Sequence, residues 1–463
     1  MTDMARPAGE RISGTAWGIA AVASLSGLLI GYNTAVIAPA LPFISGHFGL
    51  LTGAEGAVVA TVLIGGFAGS FIAGSATRRW GQKPVLIAAA LLFAVGAVGS
   101  AAAESVLLLS LWRLALGLAV GASSAVAPLY IGETAPSRWR GALVSGIQLA
   151  ITVGILLSYL VGLLWTPSGN WRAMLAAGAL PALPMLVGLA LLPESPRWLL
   201  FKGRAEEAVH AWERIGGGGV WPPENGAPPA EPHGQGWRTL FGPRLRPVLL
   251  LATGLFAFAN LSGIDAILYY APTIFAEVGF SGTFGPILAT SFIGVINVLA
   301  TLVAMGLIDR LGRRPLLILG LVPMTVSLLV LAVMLGLAGT STLAGAIALI
   351  CLGVFITGFA ISLGPLPYVL MSEIFPQSVR EAGTGFAAAA AWGANILVSA
   401  SFPPLLAWLG VGGTFALYGL ISAGAILFVV MMVPETRGCS LELIETNLAR
   451  GCRVRYLGSW PGE

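Results

Sequence analysis

Long stretches of this 463-residue chain contain no Asp, Glu, Lys or Arg. They run Ile12–Ala54, Gly56–Thr77, Pro84–Ala103, Leu114–Gly132, Gly141–Trp171, Ala173–Pro193, Val278–Ile308, Pro315–Ser372 and Ala382–Pro434. Each reaches the ~17–25 residues that a helix needs to cross a bilayer. The longest hold two crossings, divided at Ala338–Ser341 and Leu409–Gly413. Charged residues make up 10% of the chain, against roughly a quarter in soluble proteins. That supply cannot cover a water-solvated surface, so a soluble multidomain enzyme is excluded. A nucleic-acid binder is excluded as well, despite the net charge of +4.

Twelve helices are expected, at 17–43, 54–76, 84–103, 107–131, 141–165, 172–192, 247–275, 283–308, 315–337, 343–371, 382–408 and 413–433. An N-terminus in the cytoplasm puts 22 of the 24 Lys and Arg on the cytoplasmic side, the exceptions being Arg113 and Arg172. That is the positive-inside bias, so both termini are expected to be cytoplasmic and the protein to be a multi-pass resident of the cell (inner) membrane. No cleavable signal peptide is evident. The segment after the sixth helix is polar. Within it Ala205–Ile215 suits a short amphipathic helix, and the Gly/Pro-rich run 216–236 an irregular link.

The two halves repeat each other. Arg79-Trp-Gly-Gln-Lys-Pro84 returns as Arg310-Leu-Gly-Arg-Arg-Pro315, and Glu133-x2-Pro136-x3-Arg140 as Glu373-x2-Pro376-x3-Arg380. Pro193-Glu-Ser returns as Pro434-Glu-Thr, and Gly31-x-Asn33 as Gly263-x-Asp265. Each copy lies six helices from its partner, the mark of a duplicated unit. The expected fold is all-α: two six-helix bundles of the major facilitator type, with a solute site at their interface. The bundles are 1–192 and 247–433, joined by a cytoplasmic linker, 193–246, and followed by a tail, 434–463. Arg79, Glu133, Arg140, Arg310, Glu373 and Arg380 stand at inner helix ends. There, charge-assisted pairs between bundles can form and break as a gate.

Ionisable residues inside a membrane helix are functional candidates, and two stand out, Arg113 and Asp265. Arg113 lies ~10 Å below the outer end of its helix and Asn33 ~24 Å above the inner start of its own, so the two are at similar height. Asp265 follows Gly263 in the seventh helix. It is a candidate to carry a proton, to pair with Arg113, to bind an amino-bearing solute, or to bond loosened backbone. The three histidines, His47, His210 and His233, fall in expected loops. No metal-spaced cluster, nucleophile–base arrangement or cofactor motif appears. Transport is therefore expected, and catalysis is not.

Taken together, these motifs resemble the sugar porter family of the major facilitator superfamily, which includes bacterial xylose and glucose transporters. The resemblance rests on Gly31-Tyr-Asn-Thr-Ala-Val-Ile37, Arg113-Leu-Ala-Leu-Gly117, Pro128–Pro136, Pro193-Glu-Ser-Pro-Arg-Trp198, Leu261-Ser-Gly-Ile264 and Tyr269-Tyr270. Ser372-Glu-Ile-Phe-Pro376 and Pro434-Glu-Thr-Arg-Gly438 complete it. It implies symport or facilitated diffusion of a sugar-like solute by alternating access, with the bilayer and candidate protons as partners and no nucleic acid. It also implies sugar contacts at Gln148, Asn260, Asp265, Asn297, Tyr368 and Trp392. Coupled members of the family carry an aspartate where this chain has Asn33, facing the equivalent of Arg113. Several usual sugar-binding amides are replaced here, as at Ala259, Asn260 and Ala391. The substitutions point to a smaller, deoxygenated or partly aromatic solute, and keep open a porter for a non-sugar metabolite, including export.

Overall fold

The computed structural model describes residues 13–50, 52–134, 140–216, 239–280, 282–338, 342–376, 379–437, 439 and 441–458. The described residues form helices and no strand. Eleven stretches are long and apolar enough to cross a membrane: Gly14–Phe48, Ala54–Trp80, Gln82–Ala101, Val106–Thr134, Gly146–Ser168, Trp171–Leu191, Arg246–Glu277, Phe284–Ile308, Arg313–Leu335, Gly345–Met371 and Gly383–Met432. The last holds two crossings, because Gly410 (φ 67°, ψ 178°) breaks the helix Arg380–Met432 with a backbone that only glycine adopts readily. These are the twelve expected crossings, called spans 1–12 below. Of the separators expected from sequence, residues 339–341 lie outside the described set, as do 217–236 of the irregular link. His47 ends span 1 as its last helical turn, and does not lie in a loop.

Four spans are not the continuous rods that the sequence suggests, and span 6 passes from Trp171–Ala176 through the 3-10 turn Ala177–Ala179 to Ala182–Leu191. Span 1 divides into Gly14–Ala35 and Ile37–Phe48. Span 7 divides into Arg246–Leu261 and Ile264–Glu277 around Gly263, which is left-handed at φ 89° and lies flat against the Tyr418 ring. Span 10 divides into Thr342–Ile361 and Leu366–Ile374, where Gly364 and Pro365 intervene. Broken helices are tolerated at membrane depth only where protein or a cavity covers the freed backbone. The breaks in spans 7 and 10 therefore mark the middle of the second bundle as special.

Close packing in each bundle rests on small residues, since lipid gives helices no hydrophobic reason to associate. Gly65 and Gly69 of span 2 meet the backbone of Leu114 and Leu118 in span 4, and Gly117 and Gly121 return the contact against Val62 and Gly66. Any Cβ at Gly117 would strike the Val62 carbonyl, a backbone atom that cannot swing away. Gly117→Leu is therefore expected to remove the monodisperse peak in detergent gel filtration, since overpacking against backbone costs about 3 kcal/mol or more. A Cβ at Gly74 in span 2 meets nothing within 4 Å, and Gly74→Leu should leave that peak intact.

The buried apolar residues fall into two large clusters of unequal reach. One joins the whole second bundle to Tyr32–Ile44, Val58, Val59, Leu63, Leu109, Ile155, Tyr159 and Trp171–Leu175 of the first. All but Ile155, which stands at mid-span, lie in the half of their span farthest from the linker. The other cluster holds the linker-side half of the first bundle, from Ala16 to Ile30 and on through Phe93, Val126, Tyr130 and Met185, and reaches past mid-span at Val62, Ala97 and Leu116. The bundles thus share a core at the far end and part company toward the linker end. Short ties dress that linker end. Ser13 Oγ donates to the Ile215 carbonyl and Arg214 to Leu191 O at 2.9 Å, which seats the expected helix Ala205–Ile215.

Candidate functional site

Trp392, in span 11, packs against both clusters and lies on the Cα of Gly66 in span 2. It therefore stands at the fork where the bundles separate. Below it, on the linker side, Tyr368 of span 10 meets Phe256 of span 7 edge-to-face at 4.8 Å. Tyr368 keeps 49% of its surface open although it stands in the interior of its bundle beside the broken span 7. Asn260 is half-buried one turn before the break in span 7, its amide donating to Phe256 O at 2.7 Å. Across the fork, Tyr159 and Leu156 of span 5 touch Gly294 of span 8. Gln148 lies two helical turns before Leu156 and Asn297 one turn after Gly294, so each continues that meeting face toward the linker end. Gln148 is half-buried and Asn297 buried. The six candidates Gln148, Asn260, Asp265, Asn297, Tyr368 and Trp392 thus come from spans 5, 7, 8, 10 and 11, which meet around the fork.

Beyond the fork, toward the far end, the bundles are closed by polar side chains, of which the sequence marked Arg113 and Asp265 but not Tyr159, Asn395 and Ser399. Pro272 in span 7 has no N–H, so it cannot bond the carbonyl of Leu268 four residues earlier. Tyr159 of the first bundle supplies the missing donor, its hydroxyl lying 2.8 Å from Leu268 O. On span 7 itself, Asp265 is buried near Tyr269, Asn395, Tyr368 and Tyr418. Asn395 donates to Tyr269 Oη at 3.4 Å and accepts from Ser399 Oγ at 3.2 Å, and Tyr270 donates to Ser399 O at 3.3 Å. Arg113 reaches this layer from the first bundle. It is buried, donates from Nε to Val58 O at 3.3 Å and faces Tyr269.

Asn33 and Arg113 share a height but not a contact. The Asn33 amide donates to Leu29 O at 2.9 Å, and its Oδ1 lies against Gly178 of span 6. No ion pair joins Arg113 to Asp265, because Tyr269 stands between them.

At the linker end the duplicated motifs build two matching networks. Glu194 accepts the backbone N–H groups of Gln82 and Lys83 at the start of span 3, at 3.2 Å. Glu435 does the same for Arg313 and Arg314 at the start of span 9, at 3.1 Å. Gly81 (φ 101°) and Gly312 (φ 90°) make the turns that let these carboxylates approach. Glu133 accepts from Gln82 Nε2 at 2.7 Å and from the Ser195 hydroxyl. Glu373 accepts from Arg313 at 2.7 Å and from Thr436 at 2.5 Å. Burial pushes the Glu194 carboxyl above its ordinary range, opposed by the Ser195, Lys83 and Gln82 amides. Among the described residues these contacts tie the ends of spans 2, 3, 4 and 6 in one bundle, and of 8, 9, 10 and 12 in the other. Arg79 is exposed and lies over Trp80, and Arg310 is exposed too. The side chains of Arg140 and Arg380 lie outside the described residues.

A family model described as sugar (and other) transporter matches residues 19–448. The chain belongs to this family. Its relatives extend along nearly the whole length. It is 42% identical over 427 residues to the putative metabolite transport protein YwtG of Bacillus subtilis, covering 92% of this chain and 93% of that one. It is 38% identical over 443 residues to the galactose-proton symporter of Escherichia coli (strain K12), covering 95% of each. In structure it is similar to the xylose transporter XylE of E. coli in a partially occluded inward open conformation, with a TM-score of 0.79 at 33% identity over 92% of this chain and 100% of that one. This sugar-transporter-family protein is a multi-pass protein of the cell membrane with the major facilitator fold, and it works by alternating access of its two bundles. Its family is one of transporters, not of enzymes.

Proposed function

We propose that the chain carries a sugar with fewer hydroxyl groups than a hexose, a pentose or deoxyhexose, through a pocket at the fork beneath Trp392. The supporting observation is the fork itself: one shared core at the far end, a separate core at the linker end, and Trp392 packed on both. Trp392 and Tyr368 offer ring faces to a sugar, and Gln148, Asn260 and Asn297 offer amides. Ala259 and Ala391 are apolar where the pocket wall passes, so a hydroxyl aimed there stays unpaired at a cost of about 1–3 kcal/mol. Xylose and arabinose, both pentoses, appear in the names of relatives and agree with this class, whereas galactose, a hexose, appears there too and does not. The reaction is vectorial, without covalent chemistry.

In this reading the division is 1–192, 193–246, 247–433 and 434–463, and the linker end faces the cytoplasm. That end carries the basic residues, and a far-closed form corresponds to the inward-open XylE. Glu133 and Glu373, with Arg140 and Arg380 beside them in sequence, hold each bundle's inner ends together so that it rocks as one body, and Arg79 and Arg310 lie at their margin. A non-sugar metabolite is the second reading, favoured by the same apolar substitutions and by the likeness to YwtG.

The test is uptake into proteoliposomes of labelled D-xylose in competition with a panel of unlabelled solutes. Pentoses and deoxyhexoses are expected to compete about tenfold or more better than D-glucose, the factor for one unmatched hydroxyl at ~1.4 kcal/mol. Competition by no sugar at all would remove this reading in favour of the second.

A further inference from the structure

Among the described residues, Asp265 is the one carboxylate in the middle third of a span, and nothing in the pocket described above requires it to be acidic. Its Oδ2 is buried and has no hydrogen-bond partner. It sits in the first turn after the Gly263 break, in the layer where the two bundles close. The groups that face it are Tyr269 on its own helix, Tyr368 on span 10, Asn395 on span 11 and Tyr418 on span 12. Arg113 of span 4 approaches from the other bundle and stops at Tyr269, with its Nη1 also buried and without a hydrogen-bond partner. Asn33 has no titratable group and is turned toward span 6.

We propose that Asp265 is the proton carrier of this transporter, taking up and releasing a proton at Oδ2 as the far end opens and closes. This rests on the transport reading above. With the far end open, water reaches the carboxylate, which accepts one proton from it and becomes the neutral acid. With the inner side open, the acid returns that proton to water and the carboxylate is restored. No other atom changes bonding. A fixed cation stands on one side of the closing layer, and an acid whose charge comes and goes stands on the other. The attraction across Tyr269 exists only while Asp265 is ionised, so the proton shifts the balance between the two bundle arrangements. A ligand moves such an equilibrium only by interacting differently with its two states, and this geometry supplies that difference.

The experiment measures the final inside-to-outside ratio of labelled D-xylose in proteoliposomes holding the full chain, with the lumen more alkaline than the medium by about one pH unit. A 1:1 symporter should accumulate solute toward tenfold, whatever its rate. Asp265→Asn should bring the ratio to one, and Asp265→Glu should restore accumulation. Accumulation that survives Asp265→Asn, or a wild-type ratio of one despite exchange of labelled for unlabelled solute, would overturn the assignment. If wild type exchanges no solute, it is the transport reading that fails. Infrared difference spectra between acidic and alkaline medium then judge Asp265 without any solute. A protonated-carboxyl band lost in Asp265→Asn supports the carrier role, and an unchanged band overturns it.

Discussion

Trp392→Ala should abolish sugar uptake while the protein still reaches the membrane in normal amount. The indole packs on both apolar clusters, as Ile151 does from the first bundle, and it rests on Gly66 of the opposite bundle. Removing it takes away a ring face for the sugar and the wedge between the bundles. Loss of a fully buried large aromatic costs about 3–5 kcal/mol, an upper bound for the partly buried Trp392. If even half of that falls on the solute-bound state, affinity drops by ten- to hundredfold. Gln148→Ala, on the facing span, should lose about tenfold by stranding a polar partner. Initial uptake rates of labelled D-xylose, normalised to protein in the vesicles, measure both. Normal uptake in both variants would remove the pocket from this interface.

A second large effect is expected from Tyr159→Phe. Pro272 leaves the Leu268 carbonyl without its helical donor, and the Tyr159 hydroxyl reaches across from the other bundle to satisfy it. Tyr159 is fully buried, so no water can take over that role while the far end is closed. The variant thus strands a buried carbonyl at a cost of about 1–3 kcal/mol, and only in the far-closed arrangement. Opening the far end restores its solvation. The ratio of far-open to far-closed molecules should rise by about five- to a hundredfold. Labelling of a single cysteine placed at Leu41 in a chain without Cys351, Cys439 and Cys452 reports that ratio. Labelling that stays as slow as in the Tyr159 parent would show that the bond does not hold the gate.

The outline of this fold was legible from where charge is absent. Span lengths, the twelve crossings and the duplication followed from runs without charge and from motifs such as Pro193-Glu-Ser and Pro434-Glu-Thr. Rotation about each helix axis was not legible. Arg113 and Asn33 share a height, yet Asn33 faces Gly178 on span 6, because depth along a helix says nothing of azimuth. The inner charge motifs marked the correct helix ends but not their partners. Glu194 and Glu435 cap spans 3 and 9 through backbone amides, a role that the sequence motifs did not reveal. One signal was there to be found. Glu194 and Glu435 follow the sixth helix of each half just as Gly81 and Gly312 follow the second, so the turn and its carboxylate were duplicated together. The Tyr159–Leu268 contact needed the fold, although Pro272 announces a free carbonyl four residues before it.

Alternating access at one solute site is the centre of this account, and counterflow tests it most directly. Proteoliposomes loaded with unlabelled D-xylose and diluted into a trace of labelled D-xylose, with no pH gradient, should take the label up transiently above its outside concentration. The overshoot should then decay, and should be missing with Trp392→Ala. A site that opens to one side at a time gives that overshoot, because unlabelled solute leaving the vesicle returns the site to the outside for label. Label that enters only to equality, in proportion to its concentration and equally fast with Trp392→Ala, would contradict it.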